Sequence, residues 1–473
     1  MVNNTAIVRS ALCALILLGC VSFGGRDQSR ANLTINEREH HQVMTGWEVT
    51  ARGWEFDKGN DRFDGSWLAQ RDELATMLVD QAGIDRVRLE IKSGIENPVD
   101  YWALFAAGKI GYREFKAHFY EKINDNANPA ELNPAGIHFS DLDWHVENMI
   151  LPIKKRLGTR GRQLRLNLAY VDFKRTGQPG TLSHAKNPAE YAELVTAAFS
   201  HLREKYGLVP DSLEIIIEPD NTSDWSGAAI GRGILAVTAR LDDAGFSNVE
   251  IIAPSTAKAQ RALAYYEDIR SIPGATRHMT MLAYHRYDGA PDALDLNQIR
   301  DTARAAGIRT AMLEYVDGNV SDLIADLREG DASAWQNYGI AARAREGGAI
   351  GPGSLIVGRG PAGAPSVLEL TPTAQALSLI FNAVDRGSVR TGALSDNEDL
   401  EAVSFITPEK KLVVAMHALA DMPVTISGLR RAQYQLVIAG PDAAGAIVTS
   451  VTSRTGVLTL DVKKNATYRL AEH

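Results

Sequence analysis

Short apolar segments of five to eight residues recur along the chain from about residue 42 to about residue 388. Segments of this length, separated by turn residues and longer helical patterns, are typical of buried strands in a parallel sheet. Eight of them are predicted to be strands: Val43–Thr50, Ile84–Ile91, Gln163–Tyr170, Leu213–Ile217, Val249–Pro254, Met279–His285, Arg309–Leu313 and Ser354–Gly358.

Helical patterns occupy the stretches between these segments. The clearest begins at Asn187-Pro188-Ala189-Glu190, where a capping residue precedes a proline at the first helical position and a glutamate stands where a capping box needs one. This helix is expected to end at Gly207. The other predicted helices are Ala228–Ala244, Ala257–Ile269, Leu296–Ala306, Trp335–Arg345 and Thr371–Val384.

Eight strands that alternate with helices predict an α/β fold, a closed (β/α)8 TIM barrel. An open doubly wound sheet is the competing architecture, but no glycine-rich dinucleotide fingerprint supports it. The barrel is expected to span residues 42–388, with a long insertion at 95–142 on the side where a substrate would enter. The insertion is rich in aromatic residues: Tyr101, Trp102, Phe105, Tyr112, Phe115, Phe119 and Tyr120.

The pattern changes after about Gly387, where short strands are separated by turn residues. This spacing predicts an antiparallel β-sandwich over residues 389–473. The predicted strands are Ala402–Ile406, Lys411–His417, Val424–Ile426, Tyr434–Ile438, Ala446–Val451 and Val457–Val462. Part of the N-terminal segment 21–41, the stretch Ala31–Ile35, is expected to join the sandwich as a further strand.

Residues 1–20 have the character of an export signal. Arg9 is followed by an apolar core too short to span a bilayer, and Leu17-Leu18-Gly19-Cys20 resembles a bacterial lipobox in which Cys20 would be lipidated. An ordinary cleaved signal with a chance cysteine is the alternative. Because the second cysteine, Cys13, also lies in this segment, the exported domain has no thiol for a disulfide or a metal site. The expected location is the periplasm or outer membrane of a bacterium as a lipoprotein, or otherwise outside the cell.

The charge of the chain narrows the class of partner. The 473 residues carry a formal net charge of −8 and show no basic block, which argues against nucleic acid. A mildly acidic surface fits a neutral polymer better than a polyanion. Contact with a membrane is expected only through a lipid anchor at the N-terminus.

Two glutamates stand where a barrel keeps its chemistry. Glu218 follows the fourth predicted strand and Glu314 follows the seventh, so both belong at the C-terminal mouth of the barrel. Alternation along the chain puts Glu214, Ile216 and Glu218 on one face of their strand, and likewise Thr310, Met312 and Glu314. Two carboxylates on different strands are what glycoside hydrolysis requires. For either glutamate alone, a helix cap or a surface acid is the alternative interpretation.

Other polar residues are predicted to approach the same mouth. Arg88 belongs to the polar, inward face of the second strand, where a guanidinium would hold a carboxylate ionised; a structural ion pair is the alternative. His285 and Tyr287 share a face at the sixth strand, although His285 alone is equally typical of a hydrogen-bonded core residue. Asn167 faces inward on the third strand.

Aromatic and further acidic residues complete the list of candidates. A tryptophan face suits the apolar face of a sugar ring, although each tryptophan alone is more typical of packing. Glu214 and Glu90 are expected to lie deeper, as buried structural acids. The candidate tryptophans are Trp47, Trp54, Trp144 and Trp225.

These segments resemble those of clan-A glycoside hydrolases, closest in layout to families 30 and 39. The run His41-Gln42-Val43-Met44-Thr45-Gly46-Trp47 is similar to the first-strand sequence of family 30, and Glu218-Pro219 is similar to the second half of its Asn-Glu-Pro motif. His285 and Tyr287 are similar to its sixth-strand histidine and tyrosine.

The resemblance implies a barrel with a C-terminal β-sandwich, Glu218 as acid/base and Glu314 as nucleophile. It also implies that Arg88 and Tyr287 keep Glu314 ionised, while nearby negative charge and burial raise the pKa of Glu218. The chain departs from the motif at Ile217, where the family has an asparagine that contacts the sugar 2-hydroxyl. Asn221 or Asn167 are the candidates to replace it.

The expected function is a monomeric retaining glycoside hydrolase that cleaves β-glycosidic bonds of an oligosaccharide or polysaccharide, without a metal or cofactor. A non-catalytic glycan-binding barrel at the cell surface is the alternative, favoured only by Ile217. A transglycosylase is a third possibility within the enzyme class. The sugar, the linkage and endo or exo action stay open.

Overall fold

The structure is a computed structural model that describes residues 30–54, 56–57, 62–173, 180–345, 350–361, 364–440 and 446–473. The export signal and Cys20 lie outside the described residues. Within those ranges, no helix has both the length and the apolar character that a membrane crossing requires.

Eight parallel strands form a closed barrel, which confirms the predicted fold class. Barrel strand 8 pairs with strand 7 on one side and with strand 1 on the other, so the sheet has no free edge. In order, barrel strands 1 to 8 are Gly46–Thr50, Arg86–Lys92, Arg165–Val171, Ser212–Glu214, Glu250–Thr256, Met279–His285, Arg309–Glu314 and Ala332–Arg343.

The eighth strand corrects two predictions. Residues 335–345, predicted to be a helix, lie within or directly after barrel strand 8. The segment predicted as the eighth strand, found at Ser354–Arg359, pairs with the far end of strand 8 and with Val367–Leu370, outside the closed ring. Alanine-rich composition favoured a helix, but Trp335 packs on the helix side of the strand while Ala334 faces the barrel interior. This tertiary burial overrides the local propensity.

Helices cover the outside of the barrel and bury its apolar outer face. Their inward stripes pack on the outward-facing Val87, Leu89 and Ile91 of strand 2 and on the matching positions of the other strands. The helices around the barrel include Arg71–Thr76, Ser140–His145, Leu151–Thr159, Pro188–Tyr206, Gly227–Asp243, Ala259–Arg270, Ala293–Ala306, Val320–Arg328 and Pro372–Phe381.

The insertion after strand 2 has a core of its own. Its two short helices, Tyr101–Ala106 and Tyr112–Ala117, bring together aromatic rings that pack edge to face and stacked. The buried members of this cluster are Trp102, Phe105, Phe115 and Phe119. Most of the predicted aromatics therefore support the insertion itself.

The remaining strands form a nine-stranded, mostly antiparallel sheet. Strand Ala31–Val43 lies in it, parallel to Met422–Ser427 and antiparallel to Val389–Ser395. Strands from both ends of the sheet contribute to one apolar core, so the sheet folds over on itself as a sandwich does. Its other strands are Leu400–Ile406, Leu412–Ala418, Gln433–Ala439, Ile447–Thr452, Val457–Val462 and Ala466–Glu472.

The sheet packs on the barrel through the last barrel helix. Leu379 of helix Pro372–Phe381 is buried against Val437 and Ala439 of the sheet. A hydrogen bond from Ser321 Oγ to Glu401 Oε2, 2.6 Å long, adds a second contact between the two units. These contacts join the sheet to the outer, helical layer of the barrel.

Candidate active site

Glu218 reaches the mouth through an irregular backbone. Barrel strand 4 ends at Glu214, and Ile215 and Ile216 both pack on the helix side, so the alternation expected for Glu214, Ile216 and Glu218 is wrong. Glu218 has a φ of 49°, a left-handed conformation that is uncommon for a residue with a side chain. Its amide donates to the carbonyl of Ser255 at 2.9 Å, which fixes this turn beside strand 5.

Glu314 reaches the mouth because of a β-bulge. Met312 pairs with Tyr284 and Glu314 pairs with His285, so two steps on strand 7 oppose one on strand 6. Leu313 faces the barrel interior and Met312 faces the helices, whereas the predicted alternation had Met312 facing inward. The bulge reverses the phase, and the Glu314 side chain joins the inward-facing set.

Two donors hold the carboxylate of Glu314. Arg88, which is fully buried, donates to Oε2, and the Tyr287 hydroxyl donates to Oε1 at 2.8 Å. Arg88 also donates to the carbonyl of Leu313 at 3.1 Å, so the same guanidinium satisfies the carbonyl at the bulge. Arg88 and Tyr287 therefore fix both oxygens of Glu314.

Glu218 is held by different partners. The side-chain amide of Asn221 donates to Oε2 at 2.7 Å, and Nδ1 of His285 lies 3.2 Å from Oε1. On the other side of the imidazole, Nε2 lies 3.9 Å from Oε1 of Glu214, which is fully buried. His285 thus bridges a deep carboxylate and one at the mouth.

The two mouth carboxylates are close together. Oxygen atoms of Glu218 and Glu314, and a ring nitrogen of His285, all lie within 4.8 Å of one another. Each carboxylate side chain keeps about a tenth of its surface open to solvent, so both remain accessible. This spacing would let one substrate atom contact both glutamates.

The surrounding charges set the protonation of His285. Burial by itself lowers its pKa, but the carboxylates of Glu214, Glu218 and Glu314 more than compensate and raise the pKa to about 9. The imidazole is therefore cationic at neutral pH: Nδ1 donates to Glu218, and Nε2 faces Glu214 at 3.9 Å as a charge pair without a hydrogen bond.

The pKa values of the two mouth glutamates differ from the expected order. Burial raises the pKa of Glu314 more than Arg88 and His285 lower it. Burial also raises the pKa of Glu218, but His285 and Asn221 outweigh it, so this pKa lies below its usual range. A raised pKa was expected for Glu218 and is found for Glu314 instead, because a charged His285 contacts Glu218.

Glu218, His285 and Glu314 are also close enough to be considered as metal ligands. Their chemistry fits a cation poorly. The guanidinium of Arg88 already neutralises Glu314, and the raised pKa of His285 keeps a proton on the nitrogen that faces Glu218. A metal would have to displace that proton and lie close to the positive charge of Arg88.

Two predicted site residues lie elsewhere. Trp47 stacks on Phe381 with ring centroids 4.4 Å apart, and its indole donates to the carbonyl of Val384, so it packs outside the barrel. Asn167 is fully buried in the barrel interior, where it donates to Glu214 and Glu48. Outward and inward positions alternate along strand 1, and Trp47 occupies an outward one.

The other candidate tryptophans mainly support the fold. Trp54 and Trp144 both contact Trp67 edge to face, within a cluster beside the insertion. Trp225 is buried and its indole donates to Asp172 at 3.1 Å. Trp225 alone of these three also borders a cavity near the mouth.

That cavity has a volume of about 240 Å³ and lies beside the loop that follows Glu218. Its wall combines aromatic rings of Tyr120, Phe173 and Trp225 with the charged groups of Lys122 and Asp172, which form an ion pair. Aromatic faces with a few polar groups are the usual lining of a sugar-binding pocket.

Several residues at the mouth were not anticipated. Glu90, expected to be deep, has an 11% exposed side chain like the two mouth glutamates. Arg52 and Arg88 contact it, and despite burial these cations and Lys92 lower its pKa to about 2. Tyr338 lies near the same charges, and burial raises its pKa. Its position in barrel strand 8 explains why it was missed, since that strand was predicted as a helix.

Ile217, which stands where an asparagine was expected, packs in an apolar patch. It is buried against Ala169 and Val171 of barrel strand 3, with Tyr120 and Phe173 at the edge of the patch. Asn221 is bound to Glu218, and Asn167 is below the mouth, so neither occupies the place of Ile217. The wall beside Glu218 is therefore apolar.

Comparisons with known proteins address the fold. No protein-family model matches the sequence. A search of curated proteins gives no significant match. The catalytic domain of GH30 xylanase C from Talaromyces cellulolyticus is similar in structure, with a TM-score of 0.66, 13% identity, and coverage of 93% of this chain and 100% of that chain.

Two further solved structures are similar. A GH30 endoxylanase from Clostridium papyrosolvens has a TM-score of 0.64 at 14% identity and covers 93% of this chain and 100% of that chain. The endo-beta1,6-glucanase BT3312 has a TM-score of 0.61 at 13% identity, with 93% of both chains covered. At this identity the likeness establishes the fold, which resembles that of family 30 glycoside hydrolases over nearly the whole chain.

Proposed function

We propose that this protein is a retaining glycoside hydrolase that cleaves β-glycosidic bonds, with Glu314 as nucleophile and Glu218 as acid/base. The observation that carries the proposal is the pair of mouth carboxylates, whose oxygens lie within 4.8 Å of one another. Retaining enzymes hold these groups about 5–5.5 Å apart, whereas inverting enzymes need about 6.5–9.5 Å to admit a water. The likeness in fold to xylanases and a glucanase supports the same class of reaction.

In the first step, an oxygen of Glu314 forms a bond to the anomeric carbon as the bond from that carbon to the leaving oxygen breaks. Glu218 gives its proton to the leaving oxygen. Arg88 and Tyr287 keep the reacting carboxylate in place and offset its charge. In the second step, Glu218 takes a proton from water, water oxygen bonds to the anomeric carbon, and Glu314 is released.

His285 is proposed to supply the proton that Glu218 needs. In the free protein the pKa of Glu218 is lowered, whereas the pKa of His285 is raised to about 9. A transfer from Nδ1 of His285 to Oε1 of Glu218, across the 3.2 Å contact, converts the ion pair to a neutral pair. The first step then proceeds with a protonated Glu218, and the total number of protons in the site is unchanged.

The substrate is proposed to be an oligosaccharide or polysaccharide that enters along the cavity lined by Tyr120, Phe173 and Trp225. The apolar wall at Ile217 offers no amide donor to a sugar hydroxyl at that position. An asparagine at this position would bind a sugar with a free hydroxyl. The apolar wall instead favours a sugar whose hydroxyl at that position is substituted or absent.

Covalent trapping tests the proposed reaction. A 2-fluoro glycoside with a good leaving group should label Glu314, and peptide mass spectrometry would locate the label. The Glu314→Gln variant is the matched control and should stay unlabelled. Labelling at another carboxylate would contradict the role of Glu314. Specific glycan binding without labelling or hydrolysis across a broad polysaccharide panel would favour a non-catalytic binding protein.

We also propose that the protein is exported from a bacterial cell and anchored through lipidated Cys20. The support is the apolar stretch that ends in Leu17-Leu18-Gly19-Cys20. Radiolabelled palmitate should be incorporated into the wild-type protein but not into a Cys20→Ala variant. Export without incorporation would indicate an ordinary cleaved signal.

A further inference from the structure

A second group of carboxylates lies outside the proposed active site, where the insertion meets the barrel. Glu96 follows the short turn after barrel strand 2, Asp125 belongs to the insertion, and Glu190 is in the first turn of helix Pro188–Tyr206. One oxygen from each lies within 4.8 Å of an oxygen from each of the others. Three separate segments therefore converge on one point.

The oxygens that converge here are buried and unpartnered. Oε1 of Glu96, Oδ1 of Asp125 and Oε2 of Glu190 accept no hydrogen bond from any described residue, and neither does Oδ1 of the neighbouring Asn124. Glu96 and Glu190 are each more than nine-tenths buried. Buried oxygens without partners are costly, so three that meet within 4.8 Å indicate a missing positive partner.

In each of the three carboxylates, the other oxygen already contacts a neighbouring residue. These contacts orient the unpartnered oxygens toward a common point. Oε2 of Glu96 lies 2.7 Å from Nε2 of His184, and Oε1 of Glu190 accepts from Asn124 at 3.4 Å. Oδ2 of Asp125 accepts from the backbone of Asn133 at 2.5 Å. Glu190 stands at a capping-box position, yet helix Pro188–Tyr206 has no side-chain cap, so its carboxylate serves this cluster instead.

Positive charge near the cluster is sparse. Among the described residues, the flanking Glu193 is the one that contacts an arginine, with 3.4 Å between its Oε1 and Nη2 of Arg240. The ring nitrogen Nε2 of His184 lies 2.7 Å from Oε2 of Glu96, and Oε1 of Glu96 has no such partner.

We infer that Glu96, Asp125 and Glu190 bind one Ca²⁺ ion. The donors are all oxygens, with neither sulfur nor free nitrogen among them, which is the set that a hard cation prefers. Calcium binds oxygens at about 2.3–2.6 Å, so two ligands of one ion lie up to roughly 5 Å apart, in agreement with the 4.8 Å limit. Magnesium requires shorter distances and a stricter octahedron. The ion would connect the insertion to helix Pro188–Tyr206.

Direct binding tests this inference on the whole protein. After treatment with EDTA and its removal, titration with CaCl2 in a calorimeter should show one site per chain, and the melting temperature should rise by several degrees. The response to MgCl2 at the same concentration should be at least tenfold weaker. No heat and no thermal shift at millimolar CaCl2, or an equal response to MgCl2, would overturn the calcium assignment.

Variants locate the site. Asp125→Asn keeps the size of the side chain and should abolish both the binding heat and the thermal shift. Glu131→Gln is the matched control, because Glu131 is an exposed acid of the same loop and outside the cluster. Glu190→Gln provides a second test if Asp125→Asn folds poorly. Unchanged binding in the two cluster variants would place the ion elsewhere. These measurements do not depend on glycoside hydrolysis, so they stand apart from the proposed function.

Discussion

Arg88 and Glu314 form a buried ion pair across the mouth of the barrel, between strands 2 and 7. The guanidinium has no exposed surface, and it also contacts Glu90 and the carbonyl of Leu313. A buried charge that loses its partner is destabilising because it keeps its desolvation cost without compensation. This pair therefore couples stability to the geometry of the proposed nucleophile.

Replacing Arg88 tests that coupling. Arg88→Met should lower the free energy of unfolding by about 3–5 kcal/mol, because Glu314 and Glu90 stay buried beside an apolar side chain. In the double variant Arg88→Met/Glu314→Gln, part of this loss should return. Urea unfolding of the two single variants and the double variant would measure the coupling. Strictly additive losses would show that the pair is energetically independent.

Glu218 gives a prediction about leaving groups. Glu218→Ala should lower kcat/KM by about 100-fold or more on substrates with a poor leaving group, because general acid catalysis typically contributes 10²–10⁴-fold. Aryl glycosides with acidic phenols should be affected much less in the first step. Steady-state kinetics over a series of phenols would show the difference. Asn221→Ala serves as a milder control, since it removes one contact of Glu218 and leaves the carboxyl group.

The raised pKa of His285 predicts a basic limit to activity. If His285 supplies the proton, kcat/KM should fall as the pH rises through about 9. On the acidic side Glu314 must be ionised, and its pKa is raised, so activity should fall at a pH above the ordinary glutamate value of 4.5. Initial rates from pH 4 to 10 would test both limits. A flat profile between pH 8 and 10 would exclude the proton-supply role of His285.

The same shift predicts a pH dependence of stability. The pKa of His285 is higher in the folded state than its ordinary value of 6.5, so its contribution is complete below about pH 6.5 and is lost as the pH rises through about 9. The size is on the order of 3 kcal/mol. His285→Gln should flatten the fall in unfolding free energy over this range. His417, whose pKa burial lowers, is the control: its loss of stability occurs as the pH falls, so His417→Gln should not change the alkaline side.

The hydrogen bonds of Asp326 predict that the free energy of unfolding depends strongly on this one carboxyl group. It is fully buried and accepts hydrogen bonds from Tyr284 at 2.9 Å, Arg286 at 2.7 Å and the indole of Trp335 at 2.9 Å. Asp326→Ala should lower the free energy of unfolding by about 3–5 kcal/mol, because Arg286 then has, among the described residues, Asp322 alone as an ion-pair partner. Asp322→Ala should cost less, since Asp322 is more exposed. Thermal and urea unfolding would compare the two variants, and equal losses would contradict the prediction.

The apolar surroundings of Ile217 predict the effect of introducing an asparagine at this position. Ile217→Asn places an amide beside Ala169 and Val171, without a partner among them, and should lower stability by about 1–3 kcal/mol. Ile217→Val, which removes one methylene, should cost about 0.5–1.5 kcal/mol. Activity on the native substrate should not rise in Ile217→Asn. A gain in activity would show that the position is open to the substrate.

The pattern of polar and apolar residues was sufficient to predict which side chains face the barrel interior where the strands are regular. On strand 2, the polar set of Arg86 and Arg88 faces inward as predicted, and the apolar set faces the helices. On strand 6, Met281, Ala283 and His285 share the inward face, also as predicted. In both cases a two-residue period and the need to bury one face leave a single solution.

Local pattern failed where the backbone departs from that period. The bulge at Leu313 and the consecutive outward residues Ile215 and Ile216 each shift the inward–outward alternation by one residue, and the apolar pattern of the sequence shows neither shift. The prediction for strand 8 was wrong for a different reason. Its alanines and its length favour a helix, and only the packing of Trp335 on Phe381 shows that the segment is a strand. Trp47 was a candidate because a tryptophan face suits a sugar ring, but it stacks on Phe381 outside the barrel.

The sequence by itself determined the class of fold, the first seven barrel strands and which two strand ends carry Glu218 and Glu314, because hydrophobic periodicity and turn residues act within a few positions of each other. Only the tertiary structure decided that the two carboxylates lie within 4.8 Å, that a charged His285 contacts Glu218, and that Ile217 faces an apolar wall. Those properties depend on distances between distant segments and on the burial they share. Neither is encoded in any single stretch of the chain.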